Sequence, residues 1–405
     1  MGKQYITTVN VSKAHKSDIY GVEVTDKFTI SVSSDGYARF WDNKKDEVHD
    51  PRTSVQSLFI DKSGIHHLSV YENKLPSSTT KVTICAFACF NGKIIFRYFL
   101  DDNLETSLKE LDFVVEKAWV PGFYRDPGNK LDYFLANKID GLTEVYNLNV
   151  EQIGEDNVQI VFDKHGLLGI SSSPSSSTTL SSASSTASNA TGSSFPNSLA
   201  VNQTENKKCA IGYMNGSVLL FDFETLKLTY TFKSTDLVIS KNPKLNSSSS
   251  VPRVLAFSPG GTLLAVGRDN QAAGSITLYD VEYGENVGSL VAPSHSAKTV
   301  VGGFAHQGWI MGLDFDESGK FLVSCGFDKS VRVWDLDTRE REATINLSVS
   351  DFDDTEADEQ DQSIASGVKF IKKGVRGGAG GDSNDGICVV SFDRGIRWYR
   401  EAGGI

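Results

Sequence analysis

Cysteine is scarce in this 405-residue chain, and its five copies, Cys85, Cys89, Cys209, Cys325 and Cys388, are odd in number. None forms a C-x-x-C pair, which excludes a disulfide framework and the usual cysteine zinc sites. Most sit inside apolar, strand-like runs, where a thiol behaves as a small hydrophobe. The expectation is reduced core thiols in a cytoplasmic protein, with a nuclear pool. Long apolar runs are missing as well; a membrane-spanning helix needs about 18 or more consecutive apolar residues. Residues 1–12 carry no apolar segment of the secretory kind, and Ile6 stands where a myristoylation signal requires Ser or Thr. Positive charge is in deficit: 40 Lys and Arg against 51 Asp and Glu leave a net charge of -11. A general nucleic-acid binder needs the opposite balance, to displace counterions from phosphates. There is no phosphate-binding G-x-x-x-x-G-K-[ST] loop, and the glycine run 377–381 lacks the G-x-G-x-x-G order. The seven His show no metal-ligand spacing. His66 and His67 are adjacent, so in a strand they point to opposite faces; one of them reads as a repeat-start histidine.

What is present is repetition. Phe304-Ala305-His306-Gln307-Gly308-Trp309-Ile310 leads into Leu313-Asp314-Phe315. Phe321-Leu322-Val323-Ser324-Cys325-Gly326-Phe327-Asp328 follows, then Ser330-Val331-Arg332-Val333-Trp334-Asp335. Apolar residues alternate and Gly or Asp stands at each break, the pattern of short strands joined by tight turns. Residues 336–345 supply a fourth strand. The same frame recurs near the N-terminus, where Ala14-His15, Ser31, Asp35, Trp41 and Asp42 hold the matching positions. Degenerate copies lie at 82–98, 133–146, 209–232, 254–280 and 368–400. A His near the start and Trp-Asp near the end are the marks of a WD repeat, each copy one four-stranded propeller blade. The copies predict an all-β fold, a single seven-bladed propeller spanning residues 1–405. The last copy ends after three strands, and residues 4–11 form a spare strand before the first. Pairing the two closes the ring and removes an aggregation-prone edge.

His15, Ser31, Asp35 and Trp41 resemble a catalytic Ser-His-Asp set, but His306, Ser324, Asp328 and Trp334 repeat them at blade spacing. A constellation that recurs with the fold reads as a structural hydrogen-bond chain from Trp through Ser and His to Asp. Candidate function lies elsewhere. In a propeller, the turn between the second and third strands opens on the same face as the blade-to-blade connections. The residues just before those turns are Ser34, Phe90, Ile139, Met214, Phe327 and Phe392, most of them apolar. Trp119 and Trp309, placed just before the first strands of their blades, flank the same mouth, with Tyr20 beside them. Asp18 on that rim is suited to pairing a basic residue. An apolar, aromatic ring on one face is what a protein-binding hot spot requires.

Residues 171–194 are almost all Ser, Thr and Ala and read as a disordered insertion. Residues 241–252 are a shorter polar linker, and 351–362 an acidic loop. All three join the last strand of one blade to the first of the next, where long loops cost little.

Several stretches lie outside the WD consensus. Asp393-Arg394-Gly395-Ile396-Arg397-Trp398-Tyr399-Arg400-Glu401-Ala402-Gly403-Gly404 resembles the C-terminus of the fungal superkiller-complex WD-repeat subunit. So do Ile276-Thr277-Leu278-Tyr279-Asp280 with Glu282-Tyr283-Gly284-Glu285, then Gly288-Ser289-Leu290 and Pro293-Ser294-His295. Ala14-His15-Lys16-Ser17-Asp18-Ile19 and Ser63-Gly64-Ile65-His66-His67 resemble it too. The resemblance runs nearly end to end, weakest over 101–129 and absent from the Ser tract. It implies a seven-bladed propeller, two copies of which sit on a tetratricopeptide-repeat scaffold that also carries an RNA helicase. The assembly feeds mRNA in the 3′-to-5′ direction to the cytoplasmic exosome. Family members also partner the transesterase that makes meiotic recombination breaks. In both settings the propeller face takes a short segment with a basic residue and apolar anchors, which carries over to Trp119, Trp309 and Phe392 foremost, then Phe90 and Met214.

The resemblance thus implies a non-catalytic adaptor with no cofactor, no metal, no direct nucleic-acid contact and no membrane contact. A scaffold of another assembly, such as a chromatin or ubiquitin-ligase substrate receptor, would usually carry an added box motif or helical domain, and none is visible. A propeller hydrolase would need carboxylates or metal ligands facing the central channel, and the strands nearest the axis read as mainly apolar.

Overall fold

The computed structural model describes residues 2–44, 50–75, 79–153, 157–169, 194–233, 250–270, 273–292, 303–352, 361–375 and 385–402. Their strands form seven four-stranded antiparallel sheets, the blades of a propeller. Innermost to outermost, blade 1 is Ile19–Val24, Phe28–Ser33, Tyr37–Asp42 and Gln56–Phe59; blade 2 is Ile65–Lys74, Lys81–Cys89, Lys93–Leu100 and Lys109–Glu116. Blade 3 is Ala118–Tyr124, Asp132–Lys138, Thr143–Gln152 and Val158–Leu168; blade 4 is Pro196–Val201, Lys208–Tyr213, Val218–Asp222 and Lys227–Phe232. Blade 5 is Val251–Phe257, Leu263–Asn270, Ala273–Asp280 and Asn286–Leu290; blade 6 is Ile310–Phe315, Phe321–Gly326, Ser330–Asp335 and Arg341–Asn346. Blade 7 is Ala365–Ile371, Gly386–Ser391 and Ile396–Glu401, completed by the N-terminal strand Tyr5–Val11.

That completion is the ring closure the sequence predicts. Tyr5–Val11 pairs antiparallel with Ile396–Glu401, from Tyr5 opposite Glu401 to Val11 opposite Ile396. Thr8 sits in a bulge of this pairing and its hydroxyl donates to the Trp398 carbonyl at 3.0 Å. Lys3 adds an ion pair to Glu401 at 2.8 Å.

The turns between second and third strands are set by local chemistry. In blade 1 the Asp35 carboxylate accepts the Tyr37 N–H, and Gly36 takes a φ of 83°, a left-handed conformation that costs glycine least. A side chain at Gly36 would also collide with the Asp61 carbonyl. The second strands are almost wholly buried, the third strands partly so, and the apolar residues of both pack against the neighbouring blade. All five cysteines are buried free thiols in this packing. Blades 2 and 3 lack the Trp-Ser-His-Asp set and are joined by aromatic packing instead. Phe113 and Phe162 stack at 4.4 Å, and Phe96 meets Phe134 at 5.0 Å.

The innermost strands around the channel are mainly apolar, with a charged cluster among them. Glu23, Asp314 and Lys369, from the innermost strands of blades 1, 6 and 7, meet across its wall: Lys369 Nζ lies 3.1 Å from Glu23 and 3.6 Å from Asp314. The contacts run between adjacent blades, from blade 7 to blade 1 and from blade 7 to blade 6, and one charged side chain on each innermost strand is enough to make them. The lysine between them offsets the charge of one of the two carboxylates and draws both toward it. No group of three or more His, Cys, Asp or Glu able to hold a metal occurs among the described residues.

The Ser-rich segment 171–194 lies outside the described residues except for Ser194. Outside them too are 353–360 of the acidic loop 351–362, most of the 241–252 linker and the glycine run 377–381. Residues 170–193, 234–249 and 353–360 each fall between the outermost strand of one blade and the innermost of the next.

Candidate functional site

The two Ser-His-Asp-Trp sets are hydrogen-bond chains sealed from solvent. Trp41 Nε1 donates to Ser31 Oγ at 3.0 Å, His15 Nε2 lies 2.8 Å from the same oxygen, and His15 Nδ1 lies 3.2 Å from Asp35. Asp35 can only accept, so a neutral His15 carries its proton on Nδ1 and Ser31 donates to Nε2. Blade 6 repeats the chain: Trp334 to Ser324 at 2.8 Å, Ser324 to His306 at 2.7 Å, His306 to Asp328 at 2.9 Å. Burial holds both histidines below their usual pKa, against the pull of the aspartates. Asp35 is buried too, but the His15 contact and the Lys16 and Tyr37 N–H groups draw it down to about 2. The hydroxyls of Ser31 and Ser324 belong to residues with 0% exposure, so no substrate carbonyl reaches them. The polarity matches a catalytic triad; the burial makes it a brace between strands.

The candidate binding face is made by two backbone features that repeat around the ring. Every innermost strand has a break in register near its start: Ile19/Gly21, Ile65/His67, Ala118/Pro121, Pro196/Ser198, Pro252/Val254, Ile310/Gly312 and Ala365/Gly367. A bulge turns its extra residue away from regular pairing. Tyr20, His66, Trp119 and Arg253 occupy these positions. The second feature is a hydrogen bond that fastens the residue before each second turn. The N–H groups of Ser34, Phe90, Ile139, Met214, Phe327 and Phe392 donate to the carbonyls of Asp18, Gly64, Lys117, Phe195, Trp309 and Ile364. The pre-turn residues are thereby held beside the bulges.

Side chains from the two sets form an aromatic arc. Tyr20 packs against Phe392 at 5.4 Å and Phe90 at 5.3 Å, Phe90 against His66 at 4.9 Å, and His66 stacks on Trp119 at 3.9 Å. Phe195 follows at 5.5 Å from Trp119. The arc therefore runs from blade 7 through blades 1, 2 and 3 to blade 4. On blades 5 and 6, Trp309 lies 5.7 Å from Phe327, with the Arg253 guanidinium 5.0 Å over the indole. Arg253 is itself ion-paired with Asp269 at 2.5 Å. Phe90, Met214, Trp309 and Phe327 remain 40–48% exposed, far more than aromatic and methionine side chains with a fully packed environment. Asp18 and Tyr20 are half-buried at the same mouth. Burial raises the Asp18 carboxyl, and Arg394 pulls it back down.

The pre-turn residues Phe90, Ile139, Met214, Phe327 and Phe392 each hydrogen-bond to the residue that precedes or opens the innermost strand of their blade, so they share one end of the propeller with Asp18, Tyr20 and Trp309. Two readings need correction. Trp119 is not before its strand but in it, at the bulge, whereas Trp309 precedes Ile310; the two tryptophans are not equivalent. His66 and His67 do not point apart, because the bulge between Ile65 and His67 breaks the alternation, and neither joins a Trp-Ser-His-Asp chain. His66, Phe195 and Arg253 were missed. Their signal was positional, two residues after or directly at the pre-strand position already marked by Asp18 and Trp309.

A WD-repeat propeller with a solvent-facing aromatic ring and braced, sealed polar chains is a protein-interaction fold. The WD domain, G-beta repeat, matches residues 298–335, which span most of blade 6. Over its full length, and all of the relative's, the chain is 34% identical to the antiviral protein SKI8 of Saccharomyces cerevisiae. Partial matches include a striatin homolog of Dictyostelium discoideum, 28% identical over 40% of this chain and 17% of that protein. The pre-mRNA-processing factor 19 of the same organism is 26% identical over 34% of this chain and 23% of its own length. These match a minor part of the chain, whereas the first matches it from end to end. The chain belongs to the family of the superkiller-complex WD-repeat subunit.

Proposed function

We propose that this protein is a non-catalytic adaptor that holds partner proteins on the bulged face of its propeller, within a superkiller-type RNA-decay assembly. The observation that carries the reading is the aromatic arc from Phe392 to Phe195, with Trp309 and Phe327 completing the circuit. Large rigid rings around a central depression supply anchoring pockets at low entropic cost. The expected partners are a tetratricopeptide-repeat scaffold and an RNA helicase, two copies of the propeller per complex, acting in 3′-to-5′ mRNA decay by the cytoplasmic exosome. A second partnership with the meiotic break-forming transesterase, and a nuclear pool beside the cytoplasmic one, go with the same face. Asp18 is the carboxylate placed to receive a basic side chain there. The net charge of -11 supports protein rather than RNA as the direct ligand.

The test is purification of the tagged chain from its own cells, beside the Trp119→Ala/Trp309→Ala variant. The reading requires a large helical-repeat protein and a helicase with the wild type, both lost from a variant whose melting temperature is unchanged. Their absence from the wild type would sink the superkiller role and leave a propeller with other partners.

A further inference from the structure

His66 and His67 are neighbours in sequence, yet their rings meet, Nδ1 to Nδ1 at 2.6 Å. His66 Nε2 lies 3.3 Å from the Cys89 carbonyl, which can only accept, so the His66 proton is on Nε2. Its Nδ1 is then bare, and His67 Nδ1–H donates to it. The tautomers of both rings follow from one carbonyl. Burial pushes both rings down, His66 to about 2 with His67 adding to the effect, and His67 to about 4, so the pair is uncharged at neutral pH. With both nitrogens engaged, the His66 ring cannot turn without breaking two hydrogen bonds. The Trp119 indole lies on that fixed ring, 3.9 Å between centroids and 26° between planes. Phe90 closes the other flank, 4.9 Å from His66 and 6.4 Å from Trp119. His66 is only 5% exposed, so a docked segment meets Trp119 and Phe90 while His66 stands behind them.

We propose that His66 and His67 are a positioning pair, holding the Trp119 indole in the orientation in which this face meets its partner. Its consequence for binding rests on the docking role proposed above; the geometry does not. An indole on a hydrogen-bonded imidazole is held in plane, whereas one on a freely rotating ring samples several orientations and loses part of its affinity to ordering.

The experiment is fluorine NMR of the full chain labelled with 5-fluorotryptophan, the Trp119 signal being assigned by Trp119→Phe. Trp41, Trp334 and Trp398 are buried interior reporters of the fold. In His67→Phe, which keeps a ring but donates nothing, the Trp119 signal shifts or broadens while the three interior signals stay. In His67→Asn, whose amide restores a donor near the Nδ1 position, the Trp119 signal returns to its wild-type place. Capture of the co-purifying partner falls about fivefold in His67→Phe, within the range one aromatic pair contributes, and recovers in His67→Asn. A Trp119 signal unmoved by His67→Phe overturns the proposal, as does one equally displaced in both variants. If the interior signals collapse in His67→Phe, His67→Leu is read in the same way. Capture that survives Trp119→Ala counts against the docking role alone, since the NMR arm needs no partner.

Discussion

Lys369, on the innermost strand of the last blade, sets its ammonium 3.1 Å from Glu23 of the first blade and 3.6 Å from Asp314 of the sixth. Asp314 also accepts the Phe370 N–H at 2.8 Å. Burial raises both carboxyls and Lys369 pulls them down; for the lysine the two carboxylates outweigh burial and raise it. The channel wall is thus clamped at the blade that closes the ring. Replacing Lys369 by Met leaves two carboxylates facing each other with about a quarter of their side chains exposed. The expected cost is about 2–3 kcal/mol, less than for a fully buried pair because water reaches the channel. In the variant the carboxyl pKa values stay above their unfolded values, so that part of stability is lost as pH rises. The gap to wild type should narrow between pH 7 and 5. Urea melts at both pH values check this, and a gap that widens on acidification refutes it.

The buried Trp-Ser-His-Asp chains predict a non-additive stability pattern. Ser324→Ala removes the atom that both accepts from Trp334 and donates to His306, leaving two buried groups unsatisfied. A loss of about 2–3 kcal/mol follows. His306→Phe in the same chain should cost a similar amount, while the double variant costs clearly less than the sum. Additive losses would mean that the hydroxyl and the imidazole are not one network.

The blade count, the ring closure and the two polar chains were legible in the sequence because each depends on local spacing: turns at Asp or Gly, a Trp-Asp pair and a spare first strand. The pre-turn set Phe90, Met214, Phe327 and Phe392 was legible for the same reason. His66 and Arg253 were not, because their place depends on a bulge, and a bulge is a pairing event between strands rather than a pattern within one; Phe195 was passed over at the pre-strand position, where its blade carries no Trp-Asp mark to fix the frame. The charged clamp in the channel was hidden similarly. Asp314 and Lys369 are 55 positions apart on consecutive blades, and Glu23, 291 and 346 positions from them, joins only when the ring closes.

Acid sensitivity follows from four histidines held neutral by burial. His15, His306, His66 and His67 all have pKa values lowered by desolvation, to about 2 and 4 for the last two. The unfolded chain therefore takes up protons from about pH 6.5 downward while the folded chain resists. Stability is full above that value and declines as pH falls toward 4, with Asp35, lowered to about 2, adding to the loss at the acid end. The melting temperature should drop steadily between pH 6.5 and 4, and His67→Asn should flatten the slope. A wild-type profile level over that interval would mean that these rings titrate normally in the fold.

The N-terminal strand carries the last prediction. Tyr5–Val11 is the fourth strand of blade 7, and without it Ile396–Glu401 becomes an open edge. Deleting residues 2–11 removes the pairing, the Thr8–Trp398 bond and the Lys3–Glu401 ion pair, and uncovers part of the packing around Trp398, which meets Trp41 at 5.7 Å across the closure. An exposed, paired-ready edge recruits another chain. The truncated protein should melt at a markedly lower temperature and sediment partly as dimers and larger species. Adding residues 2–11 back as a separate peptide should recover the monomer, since the strand is held by pairing and packing rather than by its covalent link. A truncated chain that stays monomeric with an unchanged melting temperature would show that three strands suffice for the last blade.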